Sequence, residues 1–343
     1  MKDAGDGPTT KIDLAREMIR KFPEGGNRTI AKELRKFYPA AFPSVEKARD
    51  SVRLARGAIG ARNRLNANPA TYSEMALSQL GKELACLDAG IPDDQDPPLI
   101  PYDIGTGDDW LIIADLHIPQ HSKMAIETAI DFGVREGVQN VLILGDAVEH
   151  SQTSRFGHDP KDVDVYGELR ALTPFLKFVR EKFSGRIAYK EGNHEENLRR
   201  YIWQQAAPLA SLPCLQFREL ACLANYGIEH IPQDATIRMG KLSLIHGHEY
   251  RGGSAVYPAR WLLLKAMTCC ACAHHHRSDT ARGKTVLDAI ISTWSIGCLR
   301  SMSPSWCLKN GWNWGLARCS SHADGNFEFR NLQILGPGEV VPA

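Results

Sequence analysis

Residues 110–117 (WLIIADLH) show the pattern on which the fold depends, an apolar run that ends at once in an aspartate and a histidine. The same pattern recurs at 140–150 (NVLILGDAVEH), 186–195 (RIAYKEGNHE), 241–248 (KLSLIHGH) and 268–276 (TCCACAHHH). Short apolar runs of this kind are typical of buried strands. We therefore predict a set of strands that deliver polar side chains at their carboxyl ends.

Two segments with helical periodicity separate the first three of these runs. They lie at 122–137 (SKMAIETAIDFGVREG) and 167–183 (GELRALTPFLKFVREKF), and each is long enough to connect parallel strands. Further apolar runs within 287–335 predict strands that complete a layered sheet. The expected fold is α/β, with a largely parallel sheet covered by helices, in one catalytic domain at 98–337.

The amino-terminal part of the chain has a purely helical pattern. Residues 10–22, 27–38 and 44–62 each have apolar residues at helical spacing. Asn27 and Ser44 are residue types that favour the position before a helix, and we expect them to cap the second and third helices. This part is therefore predicted to be a small all-α domain.

The amino-terminal domain is also basic. Residues 1–64 hold 15 Lys and Arg against 8 Asp and Glu, a net charge of +7 that leaves −6 for the remainder. We predict a helix-turn-helix-like domain at 1–70 that binds the phosphate backbone of nucleic acid, with a merely solvated surface as the alternative. Its candidate phosphate contacts are Arg28, Lys32, Arg35, Lys36, Lys47, Arg49, Arg53 and Arg56.

A helix near 72–88 and a segment rich in proline and aspartate predict a linker at 71–97.

Composition excludes some classes of protein. No apolar segment approaches the roughly 20 residues that span a bilayer, and a signal peptide is not evident, so we expect a cytoplasmic protein (the host cytoplasm if phage-encoded) without a membrane partner. Nine irregularly spaced cysteines predict free thiols. The oligomeric state stays open.

The polar residues at the strand ends are candidate metal ligands, because the carboxyl ends of strands line the ligand crevice of α/β sheets. An alternating strand end is expected to direct Asp115 and His117 to the same side. Asp146, which follows a glycine, has a carboxylate that can bridge two cations. The Asn193 amide can bind a metal while the adjacent His194 moves protons.

The last two runs supply imidazoles. His246 and the triplet at 274–276 favour manganese, with iron, zinc or nickel as alternatives, over calcium or magnesium. Two cations about 4 Å apart can share a bridging hydroxide and neutralise charge on a phosphoryl group. The predicted reaction is phosphoester hydrolysis in a two-metal site.

The motifs D-x-H, G-D, G-N-H-E, H-G and H-x-H, in this order after strands, resemble the calcineurin-like metallophosphoesterase superfamily over most of 110–280. The resemblance implies a layered β-sandwich core flanked by helices. It also implies one metal held by Asp115, His117, Asp146 and His276, and a second held by Asp146, Asn193, His246 and His274, with His194 as the catalytic histidine. The chain departs from the usual motif at Ala273 and His275, so the assignment within the triplet stays open.

Several other residues have alternative interpretations. The stretch 154–160 (SRFGHDP) resembles phage-type phosphoesterases more loosely. His150, Arg155 and Arg199 are candidate substrate contacts, with loop surface as the alternative. The expected role of Cys269, Cys270 and Cys272 is core packing rather than zinc binding. A core role is also favoured over a base-stacking platform for Trp294, Trp306, Trp312 and Trp314.

Three functions fit these residues. The first is a phosphodiesterase or nuclease whose basic domain captures nucleic acid. The second is a phosphomonoesterase acting on a protein or a small molecule. The third is a nucleic-acid-binding regulator with a vestigial site. Metal-dependent turnover is expected of the nuclease and the phosphomonoesterase but not of the regulator. Salt-dependent binding to a nucleic-acid polymer is expected of the nuclease and the regulator but not of the phosphomonoesterase.

Overall fold

Three short amphipathic helices lie in the amino-terminal of two units, which comprise Met1–Asp96 and Pro97–Ala343. The computed structural model describes residues 10–58, 100–155, 164–250 and 256–343. The helices are α1 (Lys11–Lys21), α2 (Asn27–Phe37) and α3 (Val45–Ala55). Their apolar faces enclose a small core, so the predicted helical nature of this part is confirmed. Its largest members are Met18, Ile30, Leu34 and Phe42.

The ends of these helices correct two details of the prediction. Ser44 caps α3 as expected, because its hydroxyl accepts the Lys47 N–H. Asn27, however, is the first residue of α2 and not its cap, and its side chain accepts a bond from Arg56 at 2.7 Å. The third helix ends at Ala55 rather than at residue 62, because Gly57 turns the backbone into the left-handed region with φ +72°.

The first sheet of the second unit follows the predicted parallel pattern at its centre. Strands β2 (Asp109–Ile113), β3 (Asn140–Leu144), β4 (Ile187–Lys190) and β5 (Ile228–Ile231) are parallel neighbours in that order. Three antiparallel strands extend the sheet beyond β2. They are β11 (Gly315–Ser321), β12 (Phe327–Gly336) and β13 (Glu339–Pro342).

A second, mixed sheet lies against the first. Its strands are β1 (Tyr102–Asp103), β6 (Ile237–Met239), β7 (Leu242–Leu244), β8 (Cys270–Cys272), β9 (Asp279–Lys284) and β10 (Ile290–Ser295). Their order in the sheet is β1, β6, β7, β8, β10, β9. The alternation along β2 shows how the layers pack: Trp110 and Ile112 lie in the core shared by both sheets, and Leu111 and Ile113 lie under the helices.

Helices cover the outer faces of this sandwich. The two predicted connecting helices are α4 (Lys123–Arg135) and α5 (Val165–Lys182). They are followed by α6 (Asn193–Gln205), the short α7 (Phe217–Leu220) and α8 (Pro258–Ala266), none of which was predicted. Short 3₁₀ turns occupy Ser151–Thr153, Ala207–Leu209, Pro213–Leu215 and Leu223–Tyr226. The layered α/β fold with a small helical amino-terminal part is confirmed.

The remaining predictions concern the linker, the end of the second domain, membrane-spanning segments and the cysteines. The predicted helix at 72–88 and the linker at 71–97 lie outside the described residues, and β13 lies beyond the predicted limit of 337. Within the described ranges, no helix is long and apolar enough to cross a membrane. The described cysteines are free thiols, and Cys270 and Cys272 are buried core residues as expected.

Candidate metal centre

The candidate ligands lie just beyond the strands and not on the strands themselves, and most of them are on tight turns. β2 ends at Ile113, and both Asp115 and His117 have φ of +52°. The expectation that an extended, alternating strand end aligns these two side chains is therefore wrong. Asp146, His274 and His276 also have positive φ. Such backbone costs on the order of 1–3 kcal/mol per residue and concentrates at functional sites.

Two glycines allow these turns to approach one another. A Cβ atom on Gly145 would lie 2.5 Å from His246 Nδ1, and one on Gly192 would lie 2.2 Å from Asp146 Oδ1. Both distances are shorter than any tolerated contact, so the residue before Asp146 and the residue before Asn193 must lack a side chain. The loops after β3 and β4 are packed directly against the candidate ligands.

One potential metal-binding group consists of Asp115, His117 and His276. The Nε2 atoms of the two imidazoles are 3.1 Å apart, and Asp115 Oδ1 is 3.4 Å from His276 Nε2. His117 Nδ1 faces a Glu149 carboxylate oxygen at 2.7 Å, which leaves its Nε2 lone pair directed into the group. A carboxylate on the outer nitrogen is the usual way of orienting a metal-binding histidine.

The second potential group consists of Asp146, His246 and His274. His246 Nε2 is 3.0 Å from Asp146 Oδ2 and 3.9 Å from Asp115 Oδ1, so the two groups adjoin each other. The outer nitrogen of His246 donates to the Leu144 carbonyl oxygen at 2.7 Å, which again directs Nε2 inward. Asn193 is the first residue of α6.

Within the histidine triplet, His274 and His276 face the two ligand groups and His275 does not. His274 and His276 each lie in one of the two groups, whereas His275 lies in neither. The His275 ring packs edge-on against Trp261, with ring centres 5.7 Å apart. This arrangement favours the assignment that the superfamily resemblance implied.

The chemistry of the donor atoms fits bound cations. Asp115 Oδ1 and Asn193 Oδ1 are buried and have no hydrogen-bond partner, although buried polar atoms are normally paired or metal-bound. Burial lowers the pKa of His246, but Asp146 and Asp115 outweigh burial and raise it to about 10. The imidazole thus carries a proton between two carboxylates, at the place that a metal ion can take.

Asp115 and His117 are held in the protonation states that metal ligands need. Burial raises the pKa of Asp115, but the His276 and His246 imidazoles outweigh it and lower it to about 2. For His117, burial outweighs the attraction of Glu149 and lowers the pKa to about 4. An ionised carboxylate and a neutral imidazole are the ligand forms of these side chains.

His194 lies at the edge of both groups, is partly exposed, and forms a third potential metal-binding group with His117 and Glu149. Its Nδ1–H donates to the Glu149 carbonyl oxygen, and its backbone N–H donates to Asp146 Oδ1 at 2.9 Å. Its Nε2 is 3.9 Å from Asp146 Oδ2. Burial lowers the pKa of His194, but Asp146 and Glu149 outweigh it and raise it. The Glu149 carbonyl therefore orients a ring whose Nε2 remains available for proton transfer.

Sequence reasoning missed the acidic residues that hold these loops together. Glu195 accepts from the backbone N–H groups of Asp146, Ala147 and Gly192 and from the Tyr189 hydroxyl, with distances of 2.6–3.0 Å. Its place in the G-N-H-E motif was the available signal.

Glu249 plays the corresponding part beside His246. Its carboxylate accepts from the backbone N–H groups of His246 at 3.0 Å and Gly247 at 2.6 Å. It also pairs with the buried ammonium group of Lys190 at 3.0 Å. No local sequence pattern could indicate the pair of Glu249 and Lys190, because Lys190 ends β4 and Glu249 lies in the loop after β7.

The three predicted substrate contacts lie in different environments. His150 is fully buried, and its backbone N–H donates to Glu168. Arg155 is exposed and precedes residues outside the described ranges. Arg199 pairs with Glu196 at 3.1 Å and lies over the Trp203 ring. Their roles in substrate binding remain predictions.

The tryptophans also lie in different environments. Trp294 is buried in the core between the sheets, as predicted, and Trp314 donates to the Arg300 carbonyl oxygen at 2.8 Å. Trp306 is 65% exposed, so a core role is wrong for it. It lies in a long connection between β10 and β11, where strand alternation does not apply.

Comparisons with known proteins place the fold in context. No known family profile matches the sequence. The Gene 54 protein of Mycobacterium phage L5 is 25% identical over 151 residues, which cover 43% of this chain and 58% of the phage protein. The match thus spans less than two thirds of that relative's length.

Similar solved structures share little sequence with this chain. Vps29 from Cryptosporidium parvum is 12% identical with a TM-score of 0.38, covering 69% of this chain and 96% of the other. A dimetal phosphatase from Danio rerio is 13% identical with a TM-score of 0.37, covering 69% and 98%. The Escherichia coli phosphoesterase YfcE is 15% identical with a TM-score of 0.30, covering 61% and 87%. Membership of the calcineurin-like metallophosphoesterase superfamily, which the motifs indicated, stays a prediction.

Proposed function

We propose that this chain is a metal-dependent phosphodiesterase that hydrolyses nucleic acid in a two-metal site. The observation that carries the proposal is the pair of adjoining ligand groups, Asp115/His117/His276 and Asp146/His246/His274. When bound there, two divalent cations such as manganese lower the pKa of a bound water and neutralise charge on a phosphoryl group. Asn193 would complete the second set of ligands, and the Asp146 carboxylate would belong to both sets.

The chain's own residues then orient and protonate the substrate. His194, held through Nδ1 by the Glu149 carbonyl, presents Nε2 at the edge of the site as a proton donor to the leaving oxygen. Glu149 fixes the His117 ring through its carboxylate and the His194 ring through its carbonyl. One residue of the loop after β3 thus couples a metal ligand to the catalytic acid.

The basic amino-terminal unit supports a nucleic-acid substrate. Arg28, Lys32 and Arg35 are exposed on α2 at i, i+4 and i+7 and therefore share one stripe of that helix. The large buried residues of α2, Ile30 and Leu34, lie on its other side, so this stripe is free to follow a phosphate backbone. Arg56 is different, because it donates to the Gly25 carbonyl and to Asn27 and so has a structural role.

The chemistry is tested first. Metal-stripped protein, restored with manganese, is incubated with bis-p-nitrophenyl phosphate, p-nitrophenyl phosphate and labelled single- and double-stranded DNA. We expect the diester and DNA to be cleaved. The Asp146→Asn variant should be inactive and should have lost both ions, because this carboxylate would be a ligand to each of them. Cleavage of the monoester alone would replace this proposal with a phosphomonoesterase, and no turnover with any divalent metal would leave a binding protein.

Capture of the polymer is tested separately from chemistry. Replacing Arg28, Lys32 and Arg35 together by glutamine should weaken DNA binding and flatten its salt dependence by roughly 0.9 log units per lost phosphate contact. The matched control is glutamine at Arg16 and Lys21, which are already paired with Asp13 and Glu17. If both sets of substitutions weaken DNA binding equally, α2 is not the contact surface. Both variants should hydrolyse bis-p-nitrophenyl phosphate at the same rate.

A further inference from the structure

The connection between β10 and β11 places two tryptophans beside the metal centre. The Trp312 ring contacts the His276 ring edge-on, with ring centres 4.5 Å apart. The Trp306 ring centre is in turn 5.6 Å from that of Trp312, and Trp306 is 65% exposed. A large exposed aromatic surface is therefore one ring contact away from a candidate metal ligand.

Hydrogen bonds hold this connection in one conformation. The Asn310 side chain donates to two carbonyl oxygens of the same loop, at 2.8 and 2.9 Å, and accepts the Trp312 N–H at 3.1 Å. At the end of the loop, the Asn313 N–H donates to the His276 carbonyl oxygen at 3.0 Å. The tryptophans are thus positioned before any ligand arrives, and little conformational entropy is lost on binding.

A buried cation supports the two rings from inside the protein. The Arg300 guanidinium is 5.6 Å from the Trp306 ring centre and 5.2 Å from that of Trp312. Arg300 is 1% exposed, donates to Gln120 at 2.8 Å and lies 3.6 Å from the Glu149 carboxylate. These cation–π contacts use the inner side of the indoles and leave the outer surface of Trp306 to solvent.

We propose that Trp306 and Trp312 form a stacking platform for a nucleobase whose phosphodiester is held at the metal centre, which makes nucleotide diesters the preferred substrates. The proposal rests on the proposed function and specifies its substrate class. A single sugar joins a base to its phosphate, so a base on Trp306 keeps the phosphate near the ligands that adjoin His276. Because every base has a π face, such a platform tolerates different sequences.

The first test compares two diesters with the same leaving group. Thymidine 5′-(p-nitrophenyl phosphate) and ethyl p-nitrophenyl phosphate differ in the nucleoside alone. In manganese-restored protein, Trp306→Ala should lower kcat/KM for the nucleotide diester roughly 5- to 150-fold, the range of base–aromatic stacking, and leave the ethyl diester unchanged. Trp306→Phe should restore part of the loss, because a smaller aromatic ring still stacks.

Trp203→Ala is the matched control. Trp203 is also exposed, at 50%, and also packs against a guanidinium, that of Arg199 at 5.0 Å. It lies ten residues after Asn193 on α6, roughly 15 Å along the helix from the metal centre. We expect no change in the ratio of the two rates. An equal loss for both diesters in Trp306→Ala, or the same loss in Trp203→Ala, would overturn the platform.

A binding measurement separates the platform from the proposed hydrolysis. The thymidine dinucleotide and its abasic analogue, which has the same backbone charge, are titrated calorimetrically into manganese-loaded His194→Ala protein. We expect the dinucleotide to bind more tightly and Trp306→Ala to abolish the difference. If the unaltered protein hydrolyses no diester, the proposed function fails, but this titration still tests whether the tryptophans bind a base. Equal affinity for the dinucleotide and its abasic analogue would reject the stacking platform.

Discussion

The Glu195 carboxylate accepts the backbone N–H of Asp146 at 3.0 Å. Glu195 follows Asn193 and His194, a candidate metal ligand and the candidate catalytic histidine, in sequence, and it also holds the proposed bridging ligand in space. Through Gly192 it binds the loop after β4 as well. The two loops that carry Asp146 and Asn193 are therefore held by one carboxylate.

We expect Glu195→Gln to loosen both loops together. Glutamine has one acceptor oxygen, and its NH₂ group would face backbone donors that the carboxylate now satisfies. The variant should lose on the order of 1–3 kcal/mol of unfolding free energy and about 10- to 100-fold in metal affinity. Denaturant unfolding and metal titration against a chelator measure the two effects.

Glu196→Gln is the control for this prediction. Glu196 is the next residue, is also buried, and pairs with Arg199 and Arg200 at 3.1 and 2.8 Å instead of contacting a ligand loop. Its metal affinity should match that of the unaltered protein. If both variants lose metal equally, Glu195 does not position the ligands specifically.

The histidine triplet gives a prediction with an internal control. His274→Gln and His276→Gln should each lose one of two bound ions, because each side chain belongs to a different ligand group. His275→Gln should keep both ions, because that ring packs on Trp261. Metal content after gel filtration, measured by inductively coupled plasma mass spectrometry, tests all three. Loss of an ion from His275→Gln would contradict the assignment.

Removing the His194 imidazole should separate catalysis from metal binding. In the absence of a proton donor to the leaving group, His194→Ala should lower kcat roughly 10²- to 10⁴-fold while both ions stay bound. The effect should be smaller for p-nitrophenyl leaving groups, which need little protonation, than for DNA. Unchanged DNA cleavage would refute the assigned role.

Glu168 should make the stability of the protein depend on pH near neutrality. Burial, opposed by the His150 hydrogen bond, raises the pKa of Glu168 to about 8 from its usual 4.5. Between these values the unfolded chain ionises first, so the free energy of unfolding falls as pH rises. A 180° flip of the Gln152 amide would let its now unpaired oxygen accept the Glu168 proton.

Glu168→Gln mimics the protonated carboxyl and should remove this dependence. Relative to the variant, the unaltered protein should lose on the order of 3–4 kcal/mol between pH 5 and pH 8. Urea unfolding of both proteins at several pH values measures the difference. A constant difference across this range would show that Glu168 ionises normally in the folded state.

The sequence was informative where neighbouring residues decide the outcome. Apolar runs that end in polar residues predicted the strands, and helical periodicity predicted α4 and α5 as the connections between them. The prediction failed at local backbone geometry: Asp115 and His117 lie in left-handed turns, which no periodicity reveals. The end of α3 was set by one glycine, Gly57, inside an otherwise helical pattern.

By itself, the sequence determined the order of the strands' polar ends and the residue types of the candidate metal centre, because both depend on short stretches of chain. Tertiary structure decided the contacts between distant residues. His117 and His276 are 159 positions apart and become neighbours at 3.1 Å. The outward direction of His275 and the exposure of Trp306 depend on what packs against each side chain, and that packing exists in the folded chain alone.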